Sequence, residues 1–214
     1  MGQRLGDRLY GLAGPGIVMN NARNIIFVGF MGTGKTTIGR ALADQLKRDF
    51  VDMDVELETR AGKPILRVFA EDGEPVFRRM ERDLVVELSR GPVRHSLGDG
   101  GSNLVIAAGG GIVLNPENIR DFSATGHVIC LKTMPDEILR RVSGFSHRPL
   151  LEHGDKIERI RKLLVARQPF YDAIPCQVDT TGKSVADVVA DVLDRISDSK
   201  QAGNSQKIKT GSSP

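Results

Sequence analysis

Two hydrophobic patterns alternate along the chain. Asn24–Val28 (NIIFV) is a continuous apolar run, as in a strand buried on both faces of a parallel sheet. Immediately after it Ile38, Ala41, Leu42 and Leu46 recur at helical spacing. Phe50 and Val51 give a short second strand ending in Asp52. The helical period returns over residues 55–59, 64–71 and 74–89, and residues 103–108 and 127–131 read as further strands. Residues 155–167 place Ile157, Ile160, Leu163 and Leu164 on one helix face. Val178 closes a last short strand. Ser184 caps a final helix whose apolar positions run from Val185 to Ile196. Strands alternating with helices predict an α/β fold: a parallel sheet covered on both sides.

The pattern stops at both ends. The first 23 residues hold five glycines and one proline without a helical period, and predict a flexible arm. Residues 198–214 are polar and predict a disordered tail, which leaves 24–197 as the folded unit. Residues 90–102 are Gly-rich and unperiodic, as in a surface loop. No secretory core, myristoylation pattern or 18-residue apolar stretch is present, so neither export nor a membrane partner is expected.

Composition narrows the class. Hydrophobic residues make up 40% and charged residues 27%, as in an ordinary globular chain. Lys plus Arg is 30 against 27 Asp plus Glu, an excess too small to argue for a nucleic-acid partner. Arg outnumbers Lys by 20 to 10, which favours two-pronged binding of small anions. The two cysteines, Cys130 and Cys176, sit in apolar runs with no CxxC and read as buried strand thiols. The four histidines lack metal-ligand spacing. A cytoplasmic, monomeric protein is expected.

Candidate chemistry begins at Gly29-Phe30-Met31-Gly32-Thr33-Gly34-Lys35-Thr36, which matches GxxxxGK[ST] between a buried strand and an amphipathic helix. Its glycines allow a turn that aims backbone N–H groups at phosphate oxygens, and the helix N-terminus adds partial positive charge. Lys35 then reaches the β- and γ-phosphates, and the Thr36 hydroxyl suits Mg²⁺.

Such a loop implies a nucleoside triphosphate without saying what is done with it. The predicted strands at 103–108 and 127–131 do not end in an acid, and no guanine-reading N/TKxD motif occurs. The acids that follow a strand are Asp52 and Asp54. An extended chain would turn both toward the ligand crevice, one near a metal and one on an acceptor hydroxyl. Asp54 can equally serve as the N-cap of the next helix. Gly109-Gly110-Gly111 follows a strand and allows close backbone approach. Arg148 lies in a stretch of lid-like composition, about 143–155, and Arg167 ends a helix.

This ordered set resembles the shikimate kinase family. The matching motifs are GxxGxGKTT at 29–37, FxDxD at 50–54, GExxFRxxE at 73–81, the triple glycine, RPLL at 148–151, RxPxY at 167–171 and the V-D-T turn at 178–180. The resemblance covers about 24–196. It implies a three-layer fold like the nucleoside monophosphate kinases, with a five-stranded parallel sheet in order 2-3-1-4-5. It also implies ATP-dependent phosphorylation of the shikimate 3-hydroxyl to shikimate 3-phosphate, a step of chorismate and aromatic amino acid biosynthesis.

On the same resemblance Lys35, Asp54 and Arg148 are catalytic. Asp54 holds the ring hydroxyls and is the candidate base. Arg78 and Arg167 clamp the shikimate carboxylate beside Gly109, Gly110 and Gly111. ATP is held by Gly32, Thr33, Gly34, Lys35, Thr36 and Thr37, with Arg148 from the lid and Arg141 and Lys183 flanking adenine. Thr36 binds Mg²⁺, and Asp52 holds it through water. The 90–102 loop and the N-terminal arm are additions to the family pattern. Two other readings compete: a gluconate kinase-like enzyme of the same fold, and a non-catalytic ATP-binding module.

Overall fold

β1 (Asn24–Val28) is the centre of a five-stranded sheet whose edges are β2 (Phe50–Asp52) and β5 (Cys176–Asp179). The computed structural model that gives this arrangement describes residues 23–90, 103–142 and 156–208 (156 and 199–208 as backbone only). β3 (Val105–Ala107) pairs with β1 and β2, and β4 (Gly126–Lys132) pairs with β1 and β5. Every pairing is parallel, and the order is β2-β3-β1-β4-β5, as the resemblance implies.

The continuous apolar run of β1 follows from this position. Side chains alternate across a strand, so a central strand feeds two cores. Ile25 and Phe27 pack with Ile38 and Leu42 of α1 (Lys35–Leu46), and with Val188, Val192 and Ile196 of α8 (Val185–Ile208). Ile26 and Val28 point to the other face. There they join Leu84 and Val85 of α4 (Glu74–Ser89) and Phe122 of α5 (Pro116–Thr125). Ile138 of α6 (Pro135–Val142) and Ile160 of α7 (Lys156–Asp172) complete that core. The same alternation separates the cysteines. Cys130 joins the second core and Cys176 packs on the first. Cys130 is buried and Cys176 only half-buried.

Several boundaries differ from the sequence reading. α2 (Met53–Ala61) begins two residues earlier than expected, and α3 (Ile65–Glu71) follows it. α5 carries no legible period, since its buried residues are Asn118 and Phe122, one turn apart. Its start is local instead: Asn115 accepts from the Glu117 N–H at 3.0 Å and Pro116 sits at the first helical position. α6 and the short 3-10 turn Ile112–Leu114 were likewise not expected. α7 does not end at Arg167 but continues through Pro169 to Asp172. α8 runs beyond the expected limit at 197 to Ile208. Residues 198–208 contain no proline, and extending a formed helix through polar residues costs far less than nucleating one. Residues 1–22, 91–102, 143–155 and 209–214 lie outside the described residues. With them lie the expected arm, most of the 90–102 loop, the lid with Arg148, and the end of the tail.

Candidate active site

The phosphate loop is built by the junction of β1 and α1. Gly29 has φ +137°, and a Cβ there would strike the Leu131 carbonyl of β4. Only glycine satisfies both constraints. Gly34 (φ +98°) leads into α1, whose first turn has no side-chain cap among the described residues, which leaves its N–H groups for an anion. Thr33 is 1% exposed and donates to the Phe30 carbonyl at 2.8 Å, which fixes the loop from inside. Lys35 folds back over it. Its ammonium donates to the Gly29 and Phe30 carbonyls, both at 2.9 Å. Gly32 is half-buried, while Thr36 and Thr37 are exposed at the start of α1.

The two acids divide differently from the extended-chain expectation. Asp52 ends β2, and α2 begins at once, so Asp54 sits on a helix. Asp52, not Asp54, is the N-cap: Oδ1 accepts from the Asp54 N–H at 3.1 Å. Its Oδ2 accepts from the Thr36 hydroxyl at 2.8 Å. Asp52 therefore faces the phosphate loop. Asp54 is turned into a neighbouring cavity by the first turn of α2.

That cavity, of about 660 Å³, brings together Asp54, Arg78, Arg167 and the triple glycine. Met31 of the phosphate loop lines it, and Ile65 and Phe69 of α3 close its apolar side. Arg78 lies on α4. Its Nη1 donates to Glu81 at 2.8 Å, and its Nη2 to Glu74 at 3.0 Å. Arg167 is 8% exposed and donates to the Gly110 carbonyl at 3.3 Å. The same carbonyl accepts from the Tyr171 hydroxyl at 2.6 Å. This explains why α7 must continue past Arg167: residues 167 and 171, one turn apart, hold one peptide of the glycine turn. Burial pushes the Tyr171 phenol up to about 12, so it remains a donor. A Cβ on Gly111 would lie 2.5 Å from Arg78 Nη1, so the glycine makes room for the guanidinium.

Sequence reasoning gave no role to Glu81. It is 2% exposed, lines the cavity and leaves Oε1 without a partner among the described residues. Its signal was present as the last acid of GExxFRxxE, three residues after Arg78 and so on the same helix face. Burial raises the Glu81 carboxyl above its ordinary range, against the pull of Arg78, and the Asp54 charge pushes the same way. Oε1 of Glu81 and Oδ1 of Asp54 each lie 3.0 Å from the point a Gly109 Cβ would occupy. A side chain at 109 would fill the space between two carboxylates.

The proposed base-flanking residues are held at the far side of the loop. Arg141 donates Nη1 to the Gly32 carbonyl and to the Thr180 hydroxyl, both at 3.1 Å. Its Nη2 donates to the Thr180 carbonyl at 3.1 Å and its Nε to Glu137 at 2.7 Å. Lys183 instead turns along α8 and pairs with Asp191 at 2.6 Å. Mg²⁺ prefers a few hard oxygen ligands and retains waters, and the adjacent Thr36 and Asp52 oxygens fit that chemistry. Burial pushes the Cys130 thiol up to about 11. Among the described residues no helix is long and apolar enough to cross a membrane.

Comparison with known proteins gives one consistent result. The family model described as shikimate kinase matches residues 31–197. The chain is 44% identical over 171 residues to a shikimate kinase of Pelotomaculum thermopropionicum, covering 80% of this chain and 94% of the relative. Among solved structures it is similar to the shikimate kinase of Acinetobacter baumannii in complex with shikimate. That match has a TM-score of 0.74 and 33% identity, and covers 83% of this chain and 94% of the other. A gluconokinase of Sinorhizobium meliloti shares the fold alone, at 14% identity and a TM-score of 0.56, covering 86% and 97% of the two chains.

Proposed function

The chain belongs to the shikimate kinase family, whose members use ATP, and from that premise we propose how its residues divide the work of phosphorylating shikimate. The observation that carries the division is one cavity that opens beside the phosphate loop and holds Asp54, Arg78 and Arg167 together. Two arginines and a glycine turn suit a carboxylate; the acid in the same cavity suits a hydroxyl.

Shikimate enters this cavity with its carboxylate toward Arg78, Arg167 and the Gly110 peptide. Asp54 accepts a hydrogen bond from the 3-hydroxyl, orients its oxygen toward the γ-phosphate and takes its proton as transfer proceeds. Gly109 leaves the ring room to approach. The backbone from Gly32 to Gly34, with Thr37 beside it, cradles the phosphates. Lys35 exchanges its two loop carbonyls for phosphate oxygens and stabilises the charge that develops on them. Thr36 and, through water, Asp52 would hold Mg²⁺, which would neutralise phosphate charge. Arg141 and Lys183 lie on the adenine side, and Arg148 closes over the phosphates and excludes water. The products are shikimate 3-phosphate and ADP.

Residues 24–197 form the working unit, a monomer in the cytoplasm without membrane or nucleic-acid partners. The test is ADP release measured with shikimate, quinate and gluconate side by side. Shikimate should give by far the highest kcat/KM. A preference for gluconate would overturn the assignment of the two arginines to a carboxylate on a ring.

A further inference from the structure

A chain of hydrogen bonds leads from the half-buried Glu137 of α6 into the phosphate loop. Glu137 begins it. Its Oε1 accepts from Arg140 and from Arg141, each at 2.7 Å, and these two arginines hold its carboxyl down at about 2. Arg141 passes the contact on to the Thr180 hydroxyl at 3.1 Å. A hydroxyl has one proton, and Thr180 gives it to the Thr33 carbonyl at 3.2 Å. Thr180 is 3% exposed and Thr33 1%, so water cannot replace the inner bond. The backbone ties the same point down, since the Thr180 N–H donates to the Lys132 carbonyl at 2.8 Å.

We propose that Thr180 is a positioning residue for the phosphate loop, set by Arg141 and Glu137, and that this relay fixes the Gly32–Thr33 peptides in the conformation that binds phosphates. Arg141 grips the Gly32 carbonyl while Thr180 grips that of Thr33. Two successive carbonyls are thereby pulled to the rear of the loop. The Thr33 N–H donates to the Phe30 carbonyl at 3.4 Å and stays inside the loop, whereas the peptide that carries the Thr33 carbonyl turns its Gly34 N–H to the front, where an anion sits. The relay thus gives the V-D-T turn a task at the phosphates in addition to its place near the base. The inference rests on the reading of the loop as the nucleotide site.

The experiment is calorimetric titration of the full chain with inorganic tripolyphosphate, with ATP and with shikimate, each alone. Thr180→Val keeps the shape and removes the hydroxyl, leaving the Thr33 carbonyl buried without its donor. It should weaken tripolyphosphate and ATP alike by about tenfold, the usual consequence of orphaning one buried polar group. Shikimate should bind as in the wild type. Thr180→Ser restores the hydroxyl and should restore both affinities. Glu137→Ala, at the outer end of the relay, should shift tripolyphosphate in the same direction by about threefold. Asp136→Ala removes the same charge from the same helical turn and should not. If Thr180→Val cannot be folded, the Glu137 variant decides. Unchanged tripolyphosphate affinity in either variant overturns the relay. So does a loss confined to ATP, which would place Thr180 at the base only, or an equal loss for shikimate, which would indicate general loosening. Lys35→Ala separates the two claims: if it leaves tripolyphosphate binding untouched, the loop is not the phosphate site, and the relay falls with that reading.

Discussion

Removing Arg167 tests the acceptor site most cleanly. Arg78 and Arg167 face the same cavity, but their losses differ. Arg78→Leu strips Glu81, 2% exposed, of the hydrogen-bond donor its side chain has among the described residues. That orphaned group should cost about 1–3 kcal/mol, seen as a fall in Tm of about 2–12 °C. Any change in shikimate affinity would then mix binding with stability. Arg167→Leu leaves the Arg78–Glu81 pair intact, and the Gly110 carbonyl keeps its bond from Tyr171 at 2.6 Å. The lost bond to that carbonyl is long, at 3.3 Å, so the guanidinium keeps donors for a ligand. A charged hydrogen bond to a carboxylate is worth about 1.5–3 kcal/mol, or about 10- to 150-fold in Kd. The measurement is the calorimetric Kd of shikimate and of an analogue without the carboxylate, for the wild type and Arg167→Leu. The analogue should bind poorly to the wild type and lose little more in the variant, because the shared contact is already gone. If the analogue suffers the full arginine penalty, the two losses are additive, and Arg167 does not read the carboxylate.

Four further outcomes are expected. Lys35→Ala should lower kcat at least a hundredfold with far-UV circular dichroism unchanged, because the ammonium acts on charge that develops in the transition state; retention of a tenth of kcat would refute its role. Glu81→Gln should alter the pH dependence of stability. The raised native carboxyl binds a proton that the unfolded chain has released, so its contribution is complete below about pH 4.5 and is lost as pH rises through the native value. The Tm of the wild type relative to Glu81→Gln should therefore climb as pH falls toward 4.5, and a constant difference would show that Glu81 titrates normally. Gly111→Ala should raise the shikimate KM more than the ATP KM, since the new methyl displaces the Arg78 guanidinium; equal changes would place the damage elsewhere. Deleting residues 1–18, or those after Lys200, should leave kcat and Tm unchanged, since among the described side chains of α8 the last one in the core is Ile196; a loss of several degrees would show that the removed segment packs on the core.

The sequence alone determined the elements that declare themselves locally. β1 reads as a two-faced strand because both of its faces are apolar, α4 because its apolar residues keep the 3.6 period for sixteen residues, and the phosphate loop because glycine, lysine and threonine have fixed duties at fixed spacing. The ordered motifs carried the family, and through it the sheet order and the cavity residues. What the sequence left open depended on partners distant along the chain. Whether Asp52 or Asp54 caps α2 turns on the Thr36 hydroxyl, sixteen residues away, which claims the other oxygen of Asp52. The continuation of α7 past Pro169 depends on Gly110, which takes a bond from Arg167 and another from Tyr171. Lys183 takes as its ion-pair partner Asp191, eight residues on in α8. Glu81 looks like any acid on a helix until the glycine turn, Asp54 and Arg78 close around it and remove its water. Periodicity and spacing express what a residue does with its near neighbours. Burial, and the cost of leaving a buried polar group unpaired, are set only when the sheet brings β1, β3 and β4 together and the helices close over their ends.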